Sequence, residues 1–403
     1  MRIETTLVIL FSVATAAAIA ARWVKIPYTA ALVIAGMILG SLRIVDPPRL
    51  THELLFAVIL PGLLFEAAFN IDVAVFLKNK LAITALAIPG VVVAILLAGA
   101  GTALAISGLS SHSGFTLQQG LVFGALVAAT DPIAVVAIFK ELRVPARLAT
   151  LVEGESLMND GTSIVLLSLL LAAVTGASSG MGHLVLQFIL IVGGGGFLGF
   201  AAGTLASKLI ARIDDAVIEI TITVITAYGT FALAEQLGVS GVIATVVAAM
   251  HCGTYGWSEG MSRKTRFALD AFWDYMAFAL NSVVFLLIGF EVSTSALLGA
   301  WPEILLAFLV VVVARAAVVY GVGALLSRSR ERIPSNWLSV MTWGGLRGAL
   351  SMVLALALPF DFPNRDLLIT LTFGVVVLSI LVQGLTMQRL LRRVGLTQGG
   401  ARA

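Results

Sequence analysis

Charge is what this chain is short of. Only 12% of its 403 residues are Asp, Glu, Lys or Arg, against 59% hydrophobic, where a soluble domain averages about 25% charged. A soluble core has no room for so much apolar surface. The shortage therefore excludes a soluble globular protein and points to a polytopic membrane protein. Cysteine is scarcer still: Cys252 stands alone, which excludes an intramolecular disulfide. No zinc-ligand spacing, Gly-rich phosphate loop or nucleophile elbow occurs, so metalloenzyme, ATPase and hydrolase chemistry have no sequence basis. The net charge of +3 does not indicate nucleic acid, because the basic residues fall in short loops between apolar runs. The expected surroundings are membrane lipid, with no cofactor.

Long apolar runs are what the chain does have. About 20 apolar residues cross a hydrocarbon core. Thirteen spans are expected: 5–21, 25–42, 53–71, 81–106, 117–139, 148–176, 184–207, 216–236, 239–252, 267–290, 302–326, 335–358 and 367–388. The first begins like a secretory signal peptide, with Arg2, an apolar run and Ala-rich positions. The positive-inside rule argues against cleavage. Nineteen of the 25 Lys and Arg fall on one side, four (Arg2, Arg43, Arg49, Arg365) on the other, and Arg315 and Arg347 lie within spans. Removing the first span would invert that tally. The N-terminus is thus expected outside and the C-terminus in the cytoplasm, in the cell membrane. About fifteen residues follow the last span, so no large cytoplasmic regulatory tail is expected.

Thirteen spans divide as six, a linker and six, with halves of opposite topology: 1–176, a linker helix at 177–212, and 213–403. Interrupted spans mark binding sites in such repeats. The fifth span is interrupted at Asp131-Pro132 and the twelfth at Gly344-Gly345-Leu346-Arg347-Gly348, which are equivalent places in the two halves. The fold class expected is an all-α membrane protein of two inverted six-helix repeats, broken at spans five and twelve.

Ionisable residues within spans are candidate functional groups, because a charge at mid-bilayer costs roughly 2.5–3.5 kcal/mol on insertion scales. At 1.5 Å per residue, Asp160 and Arg347 lie about 18 Å into their spans and Asp131 about 13 Å from Lys140. All three reach the central slab, so Asp131 and Asp160 are expected to meet. Pro132 disfavours helix at Asp131, which frees carbonyls such as that of Thr130 to act as cation ligands. Ser156 and Asp160 are spaced i,i+4 on one helix face. A hydroxyl, carboxylates and carbonyls make a hard oxygen set suited to a small hard cation. Asn159 can donate and accept, so it can orient these neighbours. Arg347 needs a buried counter-charge, and Glu155 is the expected partner in a structural ion pair; Arg315 is left without one. Glu66 lies in the inner half of the third span. Glu153, Glu235 and Glu291 read as interfacial acids. His52, His112, His183 and His251 read as histidines of span ends and loops.

At these residues the chain resembles a family. Ala129-Thr130-Asp131-Pro132-Ile133-Ala134-Val135-Val136, Glu155-Ser156-Leu157-Met158-Asn159-Asp160-Gly161 and Gly344-Gly345-Leu346-Arg347-Gly348-Ala349 are similar to three signatures of the NhaP-type sodium/proton antiporters. These are relatives of the animal sodium/proton exchangers within the cation–proton antiporter superfamily. The resemblance implies a homodimer. It implies that the two broken helices cross in a core, around 81–176 and 302–388, which moves against a dimerisation part around 1–71 and 216–290. It implies Asp160 as the main cation- and proton-binding carboxylate, assisted by Asp131, Ser156, the Thr130 backbone and Glu66, with Na+ or Li+ as cargo. It also implies the Glu155–Arg347 pair. Asn159, in place of a second Asp, implies electroneutral exchange.

The expected mechanism is alternating access with competition, one centre holding either a proton or a cation. Potassium/proton exchange on the same fold is an alternative that oxygen ligands do not separate. A cation channel needs a continuous pore, usually with repeated filter sequences, and no such repeat is visible. An intramembrane enzyme lacks a nucleophile–base or metal set.

Overall fold

The computed structural model describes residues 3–24, 26–42, 53–108, 114–174, 180–255, 262–291 and 294–396. Arg2, Lys25, Arg43, Arg49 and Arg402 from the charge tally lie outside the described residues, as do His52 and His112. Every regular element among the described residues is helical. Helix underlies each expected span. Seven stretches are by themselves long and apolar enough to cross a membrane: Lys80–Ser107, Ala146–Val174, Gly182–Ile210, Ala216–Gln236, Thr265–Glu291, Trp301–Arg328 and Arg365–Arg393. The remainder are shorter, and two expected spans are each built from a pair of half-length helices.

The chain divides into two compact units. The first comprises Met1–His52, Leu81–Asn159 and Ser282–Ala403. It contains α1 (Ile3–Val24), α2 (Tyr28–Leu42), α5 (Lys80–Ala87), α6 (Pro89–Ser107), α7 (Leu117–Leu126), α8 (Ile133–Leu142) and the start of α9 (Ala146–Val174). After them come α14 (Thr294–Gly299), α15 (Trp301–Leu325), α16 (Ser335–Trp343), α17 (Ala349–Leu356), α18 (Arg365–Leu378) and α19 (Leu385–Arg393). The second unit holds α3 (Leu60–Phe69), α4 (Val73–Lys78), the rest of α9, α10 (Met181–Ile210), α11 (Ala216–Gln236), α12 (Gly241–Tyr255) and most of α13 (Arg263–Glu291).

Local chemistry sets the breaks. Thr116 and Gln119 form a reciprocal capping box that starts α7. Pro89 interrupts the fourth span after Ile88 and starts α6. The thirteenth span is a continuous run of turns, but Ser379–Gly384 between α18 and α19 is π-helical; such wide turns occur often at functional places. In the second unit α10 lies against α12 along a row of small residues. A Cβ on Gly199 would overlap the Ala244 carbonyl, and one on Gly203 would come within 2.8 Å of the Ala248 carbonyl, so close helix approach rests on these glycines. Trp273, fully buried, donates from its indole to Thr223 at 3.1 Å and packs against Phe65 with ring centroids 4.7 Å apart and planes tilted by 32°, tying α13 to α11 and α3.

Candidate functional site

Both interruptions read from the sequence are present. Residues 127–132 between α7 and α8 are not helical, nor are residues 344–348 between α16 and α17. The two unwound segments bond to each other. The Asp131 backbone N–H donates to the Leu346 carbonyl at 2.8 Å. The Arg347 guanidinium donates through Nη1 to the carbonyls of Ala128 at 2.8 Å and Ala129 at 3.2 Å. The Arg347 backbone N–H donates to Ser379 Oγ at 2.8 Å. Unwinding strips these backbone groups of helical partners, and in a membrane interior each must find another. Each segment supplies partners to the other.

The crossing is also ordered electrostatically. Asp131 accepts from the Ile133 N–H at 3.0 Å and so stands at the start of α8. Its carboxylate also lies against Gly348, the residue before α17, where a Cβ would overlap it. Helix N-termini favour negative charge and C-termini positive. Arg347 correspondingly serves the carbonyl end of α7. Asp131 is half-buried, whereas Arg347 is buried.

Helix α9 closes this arrangement. Ser156 donates from Oγ to the Thr130 carbonyl. Asn159 donates from Nδ2 to the Ala128 carbonyl at 3.1 Å and to Thr130 Oγ1 at 3.3 Å. Ser156, Asn159 and Thr130 are all buried. Asp160 follows Asn159 on the same helix, is half-buried, and is the first residue of the second unit. Glu66, in α3 of the second unit, is half-buried and accepts from the Asn70 amide at 3.0 Å.

One expectation is corrected. Glu155 does not pair with Arg347; it pairs with Arg315. Arg315 Nη1 and Nη2 each lie 2.7 Å from one Glu155 oxygen, a bidentate fork, and Nη2 also reaches the Met341 carbonyl at 3.1 Å. The side chains are 7% and 1% exposed, so the pair is desolvated and its geometry matters. Gly345 makes room for it, since a Cβ there would lie 2.7 Å from Arg315 Nε. Depth along the spans allowed either arginine. Unwinding decides the outcome, because the freed carbonyls of Ala128 and Ala129 engage Arg347 and leave Glu155 to Arg315.

Two further residues of the site had only a faint sequence signal. Arg315 stood out as a buried cation, and its partner awaited the azimuths of α9 and α15. Ser379 was one hydroxyl in an apolar run, and nothing in that run marks it as the anchor of the twelfth-span break.

The arrangement can be set beside known proteins. The sequence profile described as "Sodium/hydrogen exchanger, transmembrane" matches residues 8–393. The Na(+)/H(+) antiporter ApNhaP of Aphanothece halophytica is 39% identical over 392 residues, covering 95% of this chain and 73% of the relative. The Na(+)/H(+) antiporter NhaH of Halobacillus dabanensis is 34% identical over 405 residues, covering 97% of each. Among solved structures, the sodium proton antiporter MjNhaP1 from Methanocaldococcus jannaschii at pH 8 superposes with a TM-score of 0.77 at 21% identity over 97% of both chains. The crossed, unwound segments thus sit in a fold shared with that structure. With the profile spanning nearly all of its length, the chain belongs to the family of transmembrane sodium/hydrogen exchangers, which are integral multi-pass membrane transporters.

Proposed function

We propose that this chain is a secondary antiporter that exchanges Na+, or Li+, for H+ by alternating access. The observation that carries the proposal is the crossing of 127–132 with 344–348, locked by Arg347, Ser156 and Asn159. It gathers carbonyl, hydroxyl and carboxylate oxygens of the kind a small hard cation takes. The named activity of the relatives, Na+/H+ antiport, supports Na+ as that cargo. Asp160 is assigned as the carboxylate that binds cation or proton, with Asp131, Ser156 and Thr130 as its helpers and Glu66 as an outer contributor.

With Glu66 set outside the count, as an outer group whose charge stays the same throughout the cycle, a charge count supports a one-for-one exchange. Glu155 and Arg315 cancel as a bidentate pair. Arg347 offsets one of Asp131 and Asp160. One negative charge is left, and one proton or one monovalent cation neutralises it. The empty centre carries an uncompensated charge, which is costly to move through an apolar barrier. The centre therefore crosses loaded with one ion or the other, which makes the cycle electroneutral. We further propose a homodimer in the cell membrane with a cytoplasmic C-terminus. Its core, around 81–176 and 302–388, moves against a dimerisation part around 1–71 and 216–290. The packing of 81–159 with 282–403 in one compact unit supports that core, while the same unit also holds Met1–His52 of the proposed dimerisation part and the other holds 160–176 of the proposed core.

The test is dye-reported exchange in proteoliposomes. Na+ or Li+ added outside should dissipate an imposed pH gradient, K+ should not, and Asp160→Asn should abolish the response while the protein still elutes and melts as wild type. Sustained Na+-driven proton flux in Asp160→Asn would overturn the assignment.

A further inference from the structure

The first unit carries a groove unconnected with the crossing. It has a volume of about 490 Å³ and is walled by Tyr320 of α15, by Ser339, Thr342 and Trp343 of α16, and by Thr386, Arg389, Leu390 and Arg393 of α19. The spacing of the last four puts them on one face of α19. That size suits a ligand-binding cleft, typically about 300–1,000 Å³.

The groove is graded along its length. At one end the Trp343 indole donates to Thr386 Oγ1 at 2.8 Å, and at the rim Tyr320 shares a hydrogen bond with Ser339 at 2.9 Å. At the other end stands Arg393, one residue before Val394, whose carbonyl accepts from Asn336 near the start of α16. Between Thr386 and Arg393 lie about 10 Å of helix rise. The flanking surface is apolar and open: Tyr320 is 46% exposed, Leu385 40% and Val382 38%. Arg389 and Arg393 are exposed and have no carboxylate within salt-bridge distance among the described residues. The Thr342 hydroxyl, on a residue 8% exposed, lines the groove without a hydrogen-bond partner there. The result is an apolar trough with two aromatic rings in its walls, two arginines at one end that have no carboxylate partner among the described residues, and an unmet hydroxyl in its wall.

We propose that this groove binds one anionic phospholipid of the leaflet nearest Arg393, which is the cytoplasmic leaflet when the C-terminus is cytoplasmic. The phosphate sits between Arg389 and Arg393, and an acyl chain lies along Leu390 toward Trp343. Charge complementarity selects an anionic over a zwitterionic lipid. Juxtamembrane arginines of this kind are each worth about fivefold in affinity for anionic headgroups.

The test uses the full-length protein in detergent, titrated with dioleoyl phosphatidylglycerol or dioleoyl phosphatidylcholine, and followed by native mass spectrometry and thermal melting. Wild type should retain one phosphatidylglycerol preferentially and melt higher with it. The Arg389→Gln/Arg393→Gln double variant should bind it roughly tenfold or more weakly. Arg392→Gln, which removes a neighbouring exposed charge that does not line the groove, should bind as wild type does. Equal phosphatidylglycerol retention in the double variant would overturn the proposal. An equal loss in Arg392→Gln would do the same, since general surface charge would then account for the effect. A third contrary result is glycerol 3-phosphate, without acyl chains, giving the same melting shift as the lipid.

Discussion

At the scale of single residues, the centre depends on which arginine meets which acceptor. Glu155 and Arg315 form a desolvated fork, and removing one member leaves the other charged and unpaired. Arg315→Ala should therefore lose roughly 3–5 kcal/mol of stability. Arg347→Ala deletes a buried cation along with its bonds to two carbonyls, so part of the loss is offset by the desolvation no longer incurred. Thermal melting of the two variants checks this ordering: Arg315→Ala should melt lower than Arg347→Ala. The reverse order would restore the Glu155–Arg347 pairing that spacing alone suggested. Replacing both partners, with Glu155→Leu and Arg315→Met, should recover much of the loss. In that double variant no buried charge is stranded.

At the scale of elements, each broken helix supplies what the other lacks. Carbonyls freed after α7 meet the donors of Arg347, and the carbonyl of Leu346 meets the N–H of Asp131. Glycine at 348 sets the approach, because a side chain there would press on the Asp131 carboxylate. Gly348→Ala should slow exchange roughly tenfold or more, a change within reach of a displacement of about 1 Å in a binding constellation. Gly384→Ala is the matched control, since a Cβ there meets nothing within 4 Å, and its exchange rate should stay near wild type. Proteoliposome rates for the pair, read beside their melting curves, separate displacement of Asp131 from general strain. Equal rates for the two variants would remove Gly348 from the site.

At the scale of the whole molecule, the charge count around the crossing leads to a statement about voltage. If one proton replaces one cation at a centre that is otherwise neutral, no net charge crosses in a full cycle. The Na+-driven rate should then stay constant as the membrane potential is clamped from zero to strongly negative with potassium and valinomycin. A rate that climbs steeply with potential means that a net charge moves in each cycle, and the offset of Arg347 against one aspartate in the charge count would be the first assumption to fall. The outward faces are in keeping with a chain surrounded by lipid: Phe197, Phe200 and Leu205 of α10 and Val313 and Leu325 of α15 are each more than half exposed.

The sequence by itself determined the class, the helices and the positions of both breaks. Apolar length, Pro132 and the Gly344–Gly348 run are local signals whose physics acts within a few residues. Tertiary structure alone decided the partners. Depth follows from counting residues along a span, whereas pairing depends on how neighbouring helices are rotated about their axes. That rotation brought Glu155 to Arg315, while the unwound segments put Arg347 on the freed Ala128 and Ala129 carbonyls. It also brought Ser379, one hydroxyl in an apolar run, to the N–H that anchors the second break.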